Sequence, residues 1–405
     1  MIKKSNPHYR WYILTLAGLT YAIIAGASRL CMPVLFKEIE DDLKLSVTAI
    51  GTIWGMDPLA GVFIGLPSGL LADRFGIKRT LTVLCILAGV FGALRGFTNN
   101  FASLATAMFF FGLMSAASPS IVPKATAVWF SGKHLGLANG ILIVAWSLGA
   151  MFATQLSATV FSPLLGGWRG VMFLFGGISV ALGLLWFFTG REPNKIENPE
   201  LTTEKIPFRR AISHVSRIKE VWIIGLITLF NWGASMGFFG YLPLYLRNIG
   251  WSPATADSVI TVSSAMMLLG SIPMVLLSDR LKSRWGVLML SITALAVGLA
   301  LLPYVNTLGV WFVIIITNFL RSGSSSLFNV MLLENKNIGS TYGGTAIGLA
   351  STISMVGAFI APPLGNSLAD IDAGLPFVLW AGLAALSIPL MLLIKSRTGQ
   401  AQSSS

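Results

Sequence analysis

Residues 65–79 read GLPSGLLADRFGIKR, in which an apolar segment rich in small residues runs directly into an acid and a group of bases. A related stretch, SIPMVLLSDRLKSR, occupies residues 271–284. When the two stretches are aligned, a proline, an aspartate and an arginine fall in register in both. An apolar segment that recurs with the same acid–base turn indicates a chain built from two similar halves.

The composition is that of a membrane protein. Of 405 residues, 54% are hydrophobic and 11% are charged, whereas soluble domains average about 25% charged residues. The net charge is +12, but no basic patch alternates with aromatic side chains, so nucleic acid is not expected as a partner. Cys31 and Cys85 both lie in apolar runs, which argues against a disulfide framework or a metal site.

A helix needs about 20 apolar residues to cross a bilayer. About twelve stretches meet that length, at 11–36, 48–72, 80–98, 101–129, 136–162, 168–190, 220–246, 254–278, 285–305, 308–333, 341–366 and 373–394. A polar segment divides them six and six. The sequence therefore predicts an all-α membrane protein with about twelve transmembrane helices in two pseudo-symmetric six-helix bundles, 1–190 and 220–405, joined by a cytoplasmic linker, 191–219.

The distribution of lysine and arginine predicts the orientation. If the spans alternate in direction, the basic loops fall on one side, and the acidic run KEIEDD at residues 37–42 falls on the other. Basic loops favour the cytoplasm. We therefore expect a multi-pass protein of the plasma (inner) membrane with both termini cytoplasmic. The first apolar run is too long for the core of a signal peptide and is interpreted as an uncleaved span.

The loop pattern in residues 69–79 resembles the signature of the major facilitator superfamily, and the six-plus-six topology agrees over essentially the whole chain. The resemblance implies a gating cluster that holds the two bundles together on the cytoplasmic side when the carrier faces outward. A glycine permits close helix approach, and an acid at a helix end is favoured by a neighbouring helix dipole. Alternatively, the bases serve topology alone. The predicted gating residues are Gly69, Asp73, Arg74, Gly76, Lys78 and Arg79, with Asp279 and Arg280 in the second copy.

Three ionisable residues lie deep in predicted spans. Arg29 in span one and Asp57 in span two are each about 12 Å from the outer side, and Arg321 in span ten is close to the midplane. A charge at that depth costs at least about 2.5 kcal/mol, so each one calls for a reason.

Arg321 belongs to a polar series in span ten. The spacing of Asn318, Arg321, Ser322, Ser325 and Asn329 is that of one helical face, which predicts a face directed into a water-filled path. A guanidinium there suits a carboxylate or phosphate held by two parallel hydrogen bonds. The alternative is a structural arginine satisfied by helix carbonyls or by a buried partner.

The stretch from Ser28 to Gly76 resembles the anion:cation symporter branch, whose members carry sugar acids and other organic anions. The resemblance implies that Arg29 contacts a substrate carboxylate. Two positions depart from the branch: Ser28 replaces a common aspartate, and Ser115 lies near a glutamate that some members carry.

Asp57 is then the candidate proton site, since it is the one carboxylate that this interpretation places deep in a span. Burial and a neighbouring arginine would act on it in opposite directions. Two alternatives stay open: a static Asp57–Arg29 ion pair, and an aspartate that caps a kink at Pro58. Trp54, Asn231 and Tyr241 are further candidates to line the substrate path.

These observations predict a secondary transporter in which two bundles rock about a central site. The preferred substrate is a small organic anion, a carboxylate or sugar acid, held between Arg29 and Arg321, with protons as the coupling ion. A functional monomer without a cofactor is expected. An exporter of amphipathic or drug-like compounds is the alternative, and a transporter-like sensor a third. No enzyme motif is present in the sequence.

Overall fold

The computed structural model describes residues 7–130, 133–191, 208–335 and 337–403, and its regular structure within them is helical. Two π-helical segments, Tyr21–Ala27 and Ser157–Phe161, and two short 3₁₀ turns, Arg95–Phe97 and Leu302–Tyr304, interrupt or end the α-helices. The α-helices are α1 (Pro7–Thr20), α2 (Ser28–Leu43), α3 (Val47–Phe75), α4 (Ile77–Leu94), α5 (Phe101–Trp129), α6 (Lys133–Leu156), α7 (Ser162–Leu164), α8 (Trp168–Thr189), α9 (Phe208–Val215), α10 (Lys219–Asn248), α11 (Pro253–Arg280), α12 (Arg284–Leu301), α13 (Thr307–Arg321), α14 (Ser324–Leu333), α15 (Gly339–Asn366) and α16 (Leu375–Ser403).

Twelve helical segments among the described residues are long and apolar enough to cross a membrane. They confirm the predicted all-α membrane fold and its number of spans. In order, spans one to twelve are His8–Leu43, Val47–Gly65, Ile77–Phe97, Phe101–Trp129, His134–Leu164, Trp168–Thr189, Lys219–Asn248, Pro253–Arg280, Arg284–Tyr304, Thr307–Leu333, Thr341–Asn366 and Leu375–Ile394.

Several spans begin at polar caps. The side chains of Ser46, Asn100, Ser283 and Asn306 each accept a hydrogen bond from the backbone N–H three residues further on. Such a cap satisfies one of the four N–H groups that a helix start leaves without an intrahelical partner. The sequence thereby fixes where these spans start.

The quoted turn at residues 65–79 is a helix junction. Helix α3 ends at Phe75, Gly76 has a φ of +87°, and α4 begins at Ile77. A side chain would be strained at that φ, so a glycine is needed to reverse the chain there. Of the motif, the Asp73 side chain lies outside the described part of the structure, as do residues 192–207 of the predicted linker.

Span ten is interrupted near its middle. Helix α13 ends at Arg321, Ser322 is extended, Gly323 has a φ of +76°, and α14 begins at Ser324. The prediction of one continuous helix over 308–333 is therefore wrong at this point. Ser322 and Gly323 therefore interrupt the helical period between 318 and 329.

The chain divides into two compact units. One comprises Met1–Ile196 and Leu242–Thr261, and the other comprises Glu197–Tyr241 and Val262–Ser405. Each has its own apolar core. In the first, Phe111, Trp186 and their neighbours are buried; in the second, Leu288, Leu332 and their neighbours are buried. The division at 191–219 into two six-helix bundles stays a prediction.

Candidate functional site

Arg29 and Asp57 form an ion pair inside the first unit. The Nη2 of Arg29 lies 2.7 Å from Oδ2 of Asp57. The Arg29 side chain keeps 21% of its surface exposed, whereas that of Asp57 keeps 2%. The base is thus open to a ligand from one side, while the acid is enclosed by protein.

Span four approaches Asp57 closely. A Cβ atom added to Gly112 would lie 2.7 Å from the Cα of Asp57, so only glycine allows the two helices this separation. The Ser115 hydroxyl lies near the same carboxylate without a well-formed hydrogen bond, and Oδ1 of Asp57 is buried without a partner. Ser115 thus lies beside the buried acid, and one acceptor of that acid stays unsatisfied.

A second arginine lies in the same unit. Arg95 is fully buried, and its Nη1 donates to the carbonyl of Ser28 at 2.9 Å. Its guanidinium lies 4.1 Å from the ring centroid of Phe111, and it acts electrostatically on Asp57. Arg29 is thus the ion-pair partner of Asp57, and Arg95 is held by the Ser28 carbonyl and the Phe111 ring. From the sequence, Arg95 lies near the outer end of span three. Its contacts are not evident there, because they join residues from distant parts of the chain.

Arg321 lies in the second unit at the end of α13, and it lines a cavity of about 230 Å³. Asn231 and Ser325, two other predicted substrate contacts, line the same cavity. The further polar residues in the wall are Thr228, Ser324, Asn329, Ser351 and Ser354, and the apolar ones include Trp232, Met267, Phe328 and Met355.

No acid among the described residues is paired with Arg321. The side chain is 4% exposed, and its guanidinium donates to the Ser235 hydroxyl and to the Met267 sulfur at 3.5 Å. The Phe239 ring lies 5.7 Å away, and Nε has no partner. Within the described residues, no charged group compensates this guanidinium. The alternative of a structural arginine with a buried partner stays open, because the Ser235 hydroxyl that accepts from Arg321 is itself buried.

Asn231 presents a second unsatisfied donor in the cavity wall. It is 6% exposed, and its Nδ2 is buried without a hydrogen-bond partner. Buried amide groups are nearly always paired in folded proteins. Two unpaired donors, on Asn231 and Arg321, therefore line one cavity, and such a site can accept a ligand rich in oxygen atoms.

Other predicted path residues lie elsewhere. Asn318 is buried and donates to the Ile314 carbonyl at 2.9 Å and to Ser263 at 3.4 Å. The Tyr241 hydroxyl donates to the Ala373 carbonyl at 3.0 Å. Neither is part of the cavity wall. Trp54 is buried against Phe36, with ring centroids 5.9 Å apart.

Among the predicted gating residues, Gly69 lies inside α3, whereas the other described ones lie at helix ends. Arg74, Arg79, Asp279 and Arg280 are exposed, and the Lys78 ammonium lies 5.8 Å from the Phe187 ring. The gating role stays a prediction.

One buried ion pair is missing from the sequence-based interpretation. Arg247 at the end of α10 is bonded to both carboxylate oxygens of Asp257 at 2.7 Å, and Asp257 is fully buried. Asp257 follows the start of α11 by four residues, so sequence alone suggests a helix end at the membrane surface. Asp57 is therefore not the only buried carboxylate among the spans.

Comparison with known proteins decides the family. The sequence profile of the Major Facilitator Superfamily matches residues 17–343 and, again, 246–405. The chain belongs to the Major Facilitator Superfamily.

Relatives within that family bear names of organic-anion carriers. The chain is 30% identical over 218 residues to the "Probable galactarate/D-glucarate transporter GarP" of Escherichia coli (strain K12), a match that spans 51% of this chain and about half (47%) of that relative. It is 24% identical to the "Probable sulfoacetate transporter SauU" of Cupriavidus necator, over 96% of this chain and 95% of that one. The resemblance to the organic-anion branch is thus confirmed.

Solved structures support the fold alone. A bacterial homolog of the human lysosomal transporter Spinster, in an inward-facing, unoccupied conformation, aligns with a TM-score of 0.77 at 17% identity over 96% of this chain and 97% of that one. A point mutant of the nucleoside transporter NupG aligns with a TM-score of 0.79 at 13% identity over 95% of this chain and 99% of that one. Membership of this superfamily and the twelve spans make the chain a multi-pass membrane protein.

Proposed function

We propose that this protein is a secondary active transporter of a small organic anion, a carboxylate or sugar acid, that works by alternating access. The observation that carries the proposal is the Arg321 cavity, where a buried guanidinium meets no carboxylate among the described residues. The names of the relatives, which refer to galactarate, D-glucarate and sulfoacetate, support an organic anion as the class of substrate.

The Arg321 cavity favours an anionic ligand for electrostatic reasons. A charge buried without a counter-charge is costly, and the unpaired Nε of Arg321 and Nδ2 of Asn231 add unsatisfied donors. A carboxylate provides both the negative charge and the acceptor oxygens, and it can accept two parallel hydrogen bonds from one guanidinium. A neutral or cationic ligand would leave the charge uncompensated.

The remainder of the cavity wall suits hydroxylated acids. Thr228, Ser351, Ser354 and Asn329 supply hydroxyl and amide groups, which can exchange hydrogen bonds with hydroxyls on a substrate. A site that pairs each substrate hydroxyl rejects analogues that lack it, because its own polar groups are then left unpaired. Sugar acids fit this wall better than simple fatty acids do.

Arg29 is proposed as a second contact for substrate anions, and Asp57 as the proton site. An anion that binds Arg29 competes with Asp57 for the guanidinium. Asp57, once released in a nearly dry site, favours the neutral, protonated form. Proton uptake and anion binding are then linked, which makes inward movement of anion and proton together the coupled mode. The orientation in the plasma membrane with cytoplasmic termini, and function as a monomer, belong to this proposal.

Export of amphipathic compounds is the second candidate. The apolar residues in the cavity wall, Trp232, Met267, Phe328 and Met355 among them, favour it. It gives no function to an uncompensated guanidinium in the same wall.

The test is uptake by proteoliposomes that contain the purified protein. The panel comprises D-glucarate, galactarate, L-galactonate and sulfoacetate, a neutral polyol of matched size, and a hydrophobic cation, each with and without an inwardly directed proton gradient. We expect saturable uptake of at least one acid, stimulated by the gradient, and none of the polyol. Transport of the hydrophobic cation without any acid would replace the proposal by the exporter.

A further inference from the structure

The break in span ten creates a helix start in the middle of a transmembrane segment. Helix α14 begins at Ser324, directly after the left-handed Gly323, and no side chain caps it. Ser324 and Ser325, its first two residues, line the Arg321 cavity. The backbone N–H groups of a first helical turn have no partner within the helix, so those of Ser324 and Ser325 can be paired by water or by a ligand.

The end of α13 and the start of α14 differ in the hydrogen bonds that their backbone groups make. At the end of α13, the backbone N–H and the hydroxyl of Ser322 both donate to the Phe319 carbonyl, the latter at 2.6 Å. The Phe319 carbonyl at the end of α13 is thus satisfied by protein. The start of α14 has no corresponding acceptor from a cap side chain.

The break is held in place by its neighbours. A Cβ atom on Gly270 of span eight would lie 2.6 Å from the Phe319 carbonyl oxygen, so span eight lies directly against the broken segment. A Cβ atom on Gly323 would lie 3.3 Å from the Ser271 carbonyl oxygen, and its φ is +76°. A φ in that range disfavours any side chain. The interruption is therefore a built feature of the packing.

Two independent positive groups converge on this cavity. A helix start carries about half a positive charge, and helix starts bind phosphate, sulfate and carboxylate through their N–H groups. Arg321, nine-tenths buried, adds a full charge and an unpartnered Nε from the preceding helix of the same span. Both groups therefore favour a ligand that carries negative charge.

We propose that the N-terminus of α14 and Arg321 together form an anion subsite that binds one acidic group of the substrate, a carboxylate or a sulfonate. The N–H groups of Ser324 and Ser325 donate to the acid group, and the Arg321 guanidinium donates from the other side. This inference rests on the proposed function and deepens it, since it names the group of the substrate that this half-helix recognises.

The test places a competing carboxylate on the chain itself. In Ser325→Asp the new acid lies beside Arg321 at the helix start, so it occupies the subsite. We expect D-glucarate or sulfoacetate binding, measured on the purified full-length protein in detergent, to weaken by at least about 100-fold. We expect the thermal midpoint without ligand to rise, because the new carboxylate compensates the buried cation.

The matched control is Ser326→Asp, one residue further in the same first turn and not part of the cavity wall. It carries the same charge and receives the same benefit from the helix dipole, but it should keep affinity within about three-fold of wild type. Ser325→Ala removes the hydroxyl without adding an acid, so the loss of affinity in Ser325→Asp beyond that in Ser325→Ala measures the effect of the competing carboxylate.

Each outcome decides between the two proposals. If Ser325→Asp and Ser326→Asp lose affinity equally, or if Ser325→Asp lowers the thermal midpoint as well as affinity, the subsite is wrong while the transporter of organic anions stands. If wild-type protein binds no acid of the panel, both the proposed function and the subsite are wrong.

Discussion

Arg29 and Arg321 both lie within apolar spans, but their electrostatic surroundings differ. Arg29 is bonded at 2.7 Å to Asp57 and stays partly exposed. Arg321 is nine-tenths buried, and no carboxylate among the described residues compensates it. Each unit therefore has an arginine at depth, one of them paired with an acid and the other held by a hydroxyl, a sulfur and an aromatic ring.

Because Arg29 is paired with an acid and Arg321 is not, an anion would bind the two arginines in different ways. At Arg29 a substrate anion has to displace a carboxylate that is already bonded, so binding there is an exchange and is linked to the fate of Asp57. At Arg321 an anion would displace no carboxylate among the described residues, so the proposed binding there compensates a charge and breaks no ion pair. A carrier needs both properties: affinity for its cargo, and a step in which binding changes the charge of the protein.

The largest expected effect is that of removing the unpaired charge. Arg321→Met keeps much of the length and the apolar bulk of the side chain. We expect uptake and counterflow of the acid substrate to fall by about 100-fold or more, because truncation of a buried charge partner costs at least a few kcal/mol. The thermal midpoint of the purified variant should rise, since an uncompensated buried cation is removed.

Transport and the thermal midpoint together distinguish a binding role of Arg321 from a structural one. Arg321→Lys, the control, keeps the charge but loses the planar fork, so intermediate transport is expected. If Arg321 has a purely structural role, the thermal midpoint should fall in both variants. That result would contradict the view that Arg321, unlike Arg29, is an uncompensated charge kept for substrate binding.

The second effect in size concerns the paired arginine. Asp57→Asn keeps the shape of the side chain but removes its charge and its capacity to exchange a proton at physiological pH. We expect the stimulation of uptake by a proton gradient to disappear, while counterflow without a gradient persists. Net driven uptake should fall by about 10-fold or more, and stability by about 2 kcal/mol, because Arg29 loses its counter-charge.

Asp257 provides the matched control for that experiment. It is another buried carboxylate bonded to an arginine, and it is not part of the Arg29–Asp57 pair or of the Arg321 cavity wall. Asp257→Asn should lower stability by a similar amount and leave the response to a proton gradient intact. If both variants lose the gradient response, proton coupling is not specific to Asp57.

Much of the fold follows from the sequence, because a bilayer imposes a length and an apolar composition on each span. The Arg29–Asp57 pair follows as well, since both residues count to a similar depth on neighbouring spans. The break in span ten does not follow. Its signal is local, a glycine within the run RSGSSS at 321–326, and glycines are common in transmembrane helices that continue without a break, where they allow close packing.

Asn318 is absent from the cavity wall although it lies on the same side of the break as Arg321. Its amide is paired with the Ile314 carbonyl and the Ser263 hydroxyl, contacts that a helical period of 3.6 residues does not reveal. The place of Arg95 beside Ser28 and Phe111 could not be predicted either, because these contacts join residues far apart in the sequence. Neither partner carries a charge that would mark it as the neighbour of an arginine.

An intermediate effect is expected at the break itself. Gly323→Ala puts a side chain at a φ of +76°, which costs about 1–2 kcal/mol. If the break positions the start of α14 toward the acid group, affinity for the acid should fall by about 10-fold. Gly382→Ala is the control, because it lies in α16 with open space around the added methyl group. Unchanged affinity in Gly323→Ala would show that the geometry of the break does not matter for binding.

The smallest expected effect compares two buried asparagines in the second unit. Asn231 has an unpaired amide in the cavity wall, whereas the amide of Asn318 donates to Ile314 and Ser263. Asn231→Ala should weaken affinity for the acid by about 3- to 10-fold with little change in stability. Asn318→Ala should lower stability by about 1 kcal/mol with little change in affinity. Titration of each variant with the same acid measures its affinity, and thermal unfolding of each variant measures its stability. A reversed pattern would mean that the acid binds beside Asn318 and not in the cavity that Arg321 and Asn231 line.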